Sequence, residues 1–250
     1  MYHRQAVAQL LSRRDAFCAG LVLAPHLLGA CSRAKSPAWP RHTRHQGIDF
    51  IELFPNDADE SAPLVVAVHG LGDKPDHWIE TWRTFPARVQ IALPRGHTRH
   101  GEGWSWFDYR DGMTDAEFGA ELGASEEKLW RGIDELAGTR RVIVTGLSQG
   151  GFLCFAMASR HPERVAKAFP VAASCPGPLL PKDRAKTAPI VAFHGTADQV
   201  LAFKWGKAAV DAFKEQGNDA VLREYPGMGH GLNAQMRADL WREIQDALPR

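Results

Sequence analysis

Val142-Ile143-Val144-Thr145-Gly146-Leu147-Ser148-Gln149-Gly150-Gly151 reads as a short strand that turns at once into a helix. The first four residues are β-branched and mostly apolar, as a strand buried on both faces should be. From Gln149 the pattern becomes helical and runs to about Arg160. Between the two lies Gly-x-Ser-x-Gly. As a bare pattern it occurs by chance in many chains, and an ordinary strand-to-helix turn could carry it. Its seat between a buried-type strand and a helix gives it a chemical reading, the nucleophile elbow. Such a turn presents the serine oxygen at the sheet's edge. It demands small residues at positions 146 and 150, because a Cβ there would strike its neighbours.

A serine hydroxyl at neutral pH is a weak nucleophile, so it needs a histidine base that an acid holds in place. Downstream, the apolar run Ile190-Val191-Ala192-Phe193 leads through His194-Gly195-Thr196-Ala197 to Asp198, just past a strand end. An Asp there commonly only caps its own turn. Farther on, Val221-Leu222-Arg223-Glu224-Tyr225 reads as another strand and opens into Pro226-Gly227-Met228-Gly229-His230-Gly231. A lone loop histidine is usually just solvated, but here three strand ends carry the right residue types in one order. Ser148, Asp198 and His230 are therefore the expected catalytic residues. Serine, acid, histidine is the chain order of the α/β-hydrolase fold. An oxyanion formed on acyl attack needs two backbone N–H donors. Gln149 follows the serine, and Leu71 sits in His69-Gly70-Leu71-Gly72-Asp73 after the early strand 64–68; these two form the expected oxyanion hole.

These blocks together resemble the phospholipase/carboxylesterase family, whose best-known members are acyl-protein thioesterases. Trp104-Ser105-Trp106-Phe107-Asp108 is similar to a further block of that family. The likeness runs from about Pro63 to the C-terminus. It implies a hydrolase of a small carboxylic ester or thioester without metal or other cofactor. Leu71 and Gln149 would be its oxyanion donors. Trp104, Trp106 and Phe107, with Trp78 and Trp82, are candidates to line an acyl cleft or simply to fill the core. Two departures leave the acyl group open: the basic, glycine-rich stretch 95–103, and Leu147 where the thioesterases have Phe. Feruloyl-esterase-like and polyhydroxybutyrate-depolymerase-like hydrolases share the elbow and residue order. A reading from another class is a surface-tethered binding protein on a hydrolase scaffold; an intact set of three residues argues against it.

The first thirty residues read as an address. Arg4, Arg13 and Arg14 precede an apolar run from Ala16 that ends Leu28-Gly29-Ala30-Cys31. This has the layout of a secretory signal and is too short and interrupted to span a membrane. Leu-Gly-Ala-Cys resembles a bacterial lipobox, with Cys31 the lipidated residue, and Arg13-Arg14 resembles part of a twin-arginine motif. The expected organisation is a leader over 1–30, a flexible tether over 31–47 and an α/β-hydrolase domain over 48–250. The expected location is the bacterial cell envelope, with membrane contact only through the lipid.

Composition agrees with one globular domain. Of 250 residues, 44% are hydrophobic, and the net charge of +1 offers nothing to nucleic acid. Cys154 and Cys175 remain once the leader and Cys31 are set aside, in neither a zinc spacing nor a disulfide framework. His42/His45 and His97/His100 are expected as solvated loop residues. Strand-like runs at 48–54, 64–68, 89–93, 142–145, 166–171, 190–193 and 221–225 alternate with helical patterns at 77–85, 116–137, 149–160, 203–216 and 232–247. That alternation predicts a mainly parallel central sheet with helices on both faces. Thr114 is positioned to cap the second helix through Glu117, on which Glu126, Glu127 and Lys128 read as a solvated face.

Overall fold

The computed structural model describes residues 40–249. The leader, Cys31 and the tether as far as residue 39 lie outside the described residues. Each apolar run forms a strand: β2 (Ile48–Leu53), β3 (Leu64–Val68), β4 (Gln90–Pro94), β7 (Val142–Leu147), β8 (Val165–Val171), β9 (Ile190–Gly195) and β10 (Ala220–Tyr225). With β1 (Arg41–His45) they make an eight-stranded sheet in the order β1-β2-β4-β3-β7-β8-β9-β10. The pairs β1–β2 and β2–β4 are antiparallel; every pairing from β4 to β10 is parallel.

Strand alternation sorts the core into two layers. Leu64, Val66 and Val68 of β3 point into one cluster, which they share with Leu122 and Ile133 of α2 (Asp115–Ala137), Leu153 and Phe155 of α3 (Gln149–Arg160), and Val210 and Phe213 of α4 (Phe203–Glu215). Val65 points the other way, toward Trp82 of α1 (Ile79–Arg83) and Met236, Leu240 and Ile244 of α5 (Ala234–Asp246). Helices thus cover both faces of the sheet. At the start of α2, Thr114 Oγ1 accepts from Glu117 N–H, and the Glu117 carboxylate accepts from Thr114 N–H.

Three expectations need correction. Residues 41–47 are not tether: β1 pairs along its length with β2 through a turn at Gln46 and Gly47, whose φ angles are 46° and 80°. Its sequence is polar because it is an edge strand, and its anchor is a charge. Glu52, fully buried on β2, accepts from the Arg41 guanidinium and the Thr43 hydroxyl, each at 2.6 Å. Nor are the paired histidines loop residues throughout. His42 and His45 belong to β1, while His97 lies edge-on to Trp106 and donates to Ser125 O at 3.1 Å. Finally, Glu126 is not solvated. It is fully buried where α2 meets the end of α3, paired with His161 at 2.8 Å and Arg160 at 3.2 Å. A period-3.6 pattern counts a glutamate as surface, and only the end of the neighbouring helix supplies its partners.

Candidate active site

In a parallel sheet the loops after the strands gather along one edge, and the register here brings the relevant strand ends level. Val68 lies opposite Gly146, Leu147 opposite Val171, Val171 opposite Phe193, and Gly195 opposite Tyr225. The loops that follow carry Leu71, Ser148, Asp198 and His230.

Ser148 joins β7 to α3 with φ 55° and ψ −116°, a backbone conformation strained for a non-glycine residue. Its N–H donates to Val171 O at 2.9 Å, which ties the turn to β8. The tightness is visible at the flanking glycines. A Cβ on Gly146 would fall 2.5 Å from the Gly150 carbonyl carbon, and one on Gly150 would fall 2.1 Å from Val68 O.

Asp198 is buried, and both its carboxylate oxygens accept hydrogen bonds. Oδ1 accepts from the Val200 and Leu201 N–H groups, both at 2.9 Å. Oδ2 accepts from His230 Nδ1 at 2.8 Å. Burial works to raise the carboxyl's pKa, but the Leu201 amide, His230 and the Val200 amide together hold it below the usual carboxylate range. Asp198 is therefore an anion whose partner must carry its hydrogen on Nδ1, leaving the His230 Nε2 lone pair free. Among the described residues no hydrogen bond joins Ser148 to His230. The Asp–His half of the constellation is closed, and the Ser–His half is open.

The loop over 69–73 lies against the elbow, since a Cβ on Gly70 would stand 3.5 Å from Ser148 Cβ. His69 fixes this loop. Its Nδ1 donates to Gly70 O at 2.7 Å and its Nε2 accepts from Gly96 N–H at 3.1 Å. Asp73 braces the far end by accepting from His77 Nδ1 and Trp78 Nε1. Among the described residues neither the Leu71 N–H nor the Gln149 N–H is taken by another group.

The family model described as Phospholipase/Carboxylesterase matches residues 53–247. The chain belongs to this family. Acyl-protein thioesterase 1 of Cryptococcus neoformans is 28% identical to it over 238 residues, 80% of this chain and 98% of that protein. In fold it is similar to esterase PE8, at a TM-score of 0.69 and 21% identity over 79% of this chain and 97% of the other. Acyl-protein thioesterase 2 of Zea mays gives 0.64 at 21% identity, covering 80% of this chain and 99% of its own. The fold is that of the α/β-hydrolases, and the chain is a hydrolase of the esterase/thioesterase type.

Within this phospholipase/carboxylesterase member, the aromatic block behaves differently from a cleft wall. Trp106 and Phe107 are buried in the core. Gln149, read from sequence for its backbone alone, is the reason: its Oε1 accepts from Trp106 N–H and its Nε2 donates to Phe107 O, both at 2.9 Å. The Trp106 indole N–H in turn donates to His69 O at 2.9 Å. A glutamine in the first turn of the elbow helix was the only available signal, and it is a weak one. Trp104 lies on the hairpin of β5 (Thr98–His100) and β6 (Gly103–Ser105), with the Arg95 and Arg99 guanidinium groups over its ring at 4.2 and 4.5 Å. Trp78 and Trp82 help line a cavity of about 30 Å³ with His69, Leu147, Leu232 and Leu240. Cys154 and Cys175 are free, and burial pushes both thiols' pKa values up, so neither suits nucleophilic work.

Proposed function

We propose that this chain hydrolyses carboxylic esters or thioesters through an acyl-enzyme on Ser148. The observation that carries this reading is the strained Ser148 turn, on the same sheet edge as an imidazole whose Nδ1 is held by a buried carboxylate. His230 Nε2 takes the hydroxyl proton as Ser148 Oγ attacks the acyl carbon. The carbonyl oxygen becomes an oxyanion between the Leu71 and Gln149 N–H groups. Collapse expels the alkoxide or thiolate, which leaves with the proton from His230. Water then attacks the acyl-enzyme with His230 again as base, releasing the acid and restoring the serine. Asp198 keeps the imidazole in the working tautomer throughout.

Leu71, Tyr109, Val200 and Trp205 are large apolar side chains left exposed on the loops after β3, β6, β9 and on the first turn of α4. Their exposure favours a substrate with an apolar acyl group. The test is Ser148→Ala. Turnover of nitrophenyl esters and of a matched thioester should fall by about 10⁴- to 10⁶-fold in kcat with the fold retained, and fluorophosphonate labelling of the wild-type serine should vanish. Activity within tenfold of wild type would defeat the assignment.

For the leader we propose export with lipidation at Cys31, on the Leu-Gly-Ala-Cys block alone. Intact mass and N-terminal sequencing of membrane-extracted protein should give a chain that begins at an acylated Cys31. An unmodified chain beginning at Met1 in the host's cytosolic fraction would refute it.

A further inference from the structure

His194 is the next-to-last residue of β9 and is almost wholly buried, yet the mechanism above makes no use of it. Its Nε2 lies 2.9 Å from Leu201 O and 3.3 Å from Asp198 Oδ2. Leu201 O can only accept, so Nε2 must carry a hydrogen and donate it there, while Asp198 Oδ2 stands beside it without completing a hydrogen bond. That oxygen of Asp198 is the same one that receives His230 Nδ1. Leu201 is therefore gripped twice: its N–H donates to Asp198 Oδ1, and its C=O accepts from His194.

The ring itself is held from behind. A Cβ on Gly206 of α4 would fall 2.2 Å from His194 Nδ1, so the helix backbone lies directly against the imidazole. Phe203 meets the ring edge-on, with centroids 5.8 Å apart and planes at 90°. The end of β9, the 198–201 turn and the start of α4 all converge on one side chain.

We infer that His194 is a positioning residue that orients Asp198 toward His230. It closes the 198–201 turn across the acid by holding Leu201 O and stands 3.3 Å from Oδ2, so that the carboxylate has little room to swing away from His230. The inference rests on the reading of Asp198 as the acid of the catalytic set.

The experiment is a double-mutant cycle on kcat with nitrophenyl esters. His194→Asn keeps an amide but ends where Nδ1 stands, so its donor cannot reach Leu201 O. It should lower kcat by roughly 10- to 100-fold, the scale of an ångström of misplacement in a catalytic group, with KM changed less than about twofold. His194→Gln carries an N–H at the reach of Nε2 and should recover activity to within about threefold of wild type. In an Asp198→Asn background, His194→Asn should add less than about twofold, because the residue it positions no longer works. If His194→Asn fails to fold, His194→Leu takes its place in the same cycle. Losses that multiply in the double variant, no rescue by His194→Gln, or a His194→Asn enzyme within twofold of wild type would overturn the inference. Asp198→Asn alone separates the two claims. Near-normal turnover in that variant would refute the acid assignment itself, whereas a large loss there with a silent His194→Asn would refute only the positioning role.

Discussion

At the scale of single residues, the proposed chemistry draws on main-chain atoms as much as on side chains. Leu71 is half exposed, and its side chain is dispensable if the loop's contribution is its N–H. Leu71→Ala should leave kcat within about threefold of wild type. Leu71→Pro removes the donor and should cost about 10²- to 10³-fold in kcat, the usual loss for one oxyanion donor. Steady-state kinetics on one ester distinguish the two cases, and equal losses in both variants would return the role to the side chain. Gln149 has the opposite split. Its N–H faces the reaction in our proposal, while its amide holds Trp106 and Phe107 in the core.

Among the elements, the contact of α2 with α3 holds a fully buried carboxyl group. Glu126 is buried between His161, which stacks on Trp130 at 4.0 Å, and Arg160, which also donates to Gly123 O. Glu126→Ala takes the carboxylate from His161 and from an arginine that solvent can still reach, and should cost about 1 to 3 kcal/mol in urea unfolding as those charge-assisted hydrogen bonds are lost. A loss below about 0.5 kcal/mol would mean that solvent already screens the pair. The long helix was legible to within a residue, its capping box included, and yet this glutamate was assigned to the wrong face. Periodicity reports which residues could be buried by being apolar. It is silent on a charged one whose partners come from another helix.

For the molecule as a whole, a buried and a half-buried imidazole make stability depend on pH. Burial lowers the pKa of His69 and of His97, the latter with an Nδ1 that has no partner among the described residues. Each sheds its proton in the folded state at a pH where the unfolded chain, near the ordinary value of about 6.5, still binds one. The unfolded state therefore holds more protons in that window, and stability falls as pH drops below about 6.5 toward the lowered folded values. Thermal unfolding followed from about pH 8 down to about pH 5 should report a declining midpoint. His97→Phe should flatten that decline, since the buried nitrogen is gone; an unchanged slope would assign the effect elsewhere.

The residue order Ser148, Asp198, His230, the strands that carry them and the alternation of strand with helix were all readable along the chain. Each depends on local chemistry: apolar runs must be buried, glycines must relieve the elbow, and a loop must follow each strand. Tertiary structure alone decided the rest. The polar segment Arg41–His45 became a strand because a buried Glu52 on the adjacent strand needed its donors. Trp106 and Phe107 went inward because a glutamine amide pairs with their backbone. His194 gained its place beside Asp198 from a helix glycine and a turn carbonyl. In each case the deciding partner lies on a different element or turn, from seven residues away for Leu201 to forty-three for Gln149. Hydrogen-bond demand acts only between groups that the fold has already brought together, so no window of sequence contains it.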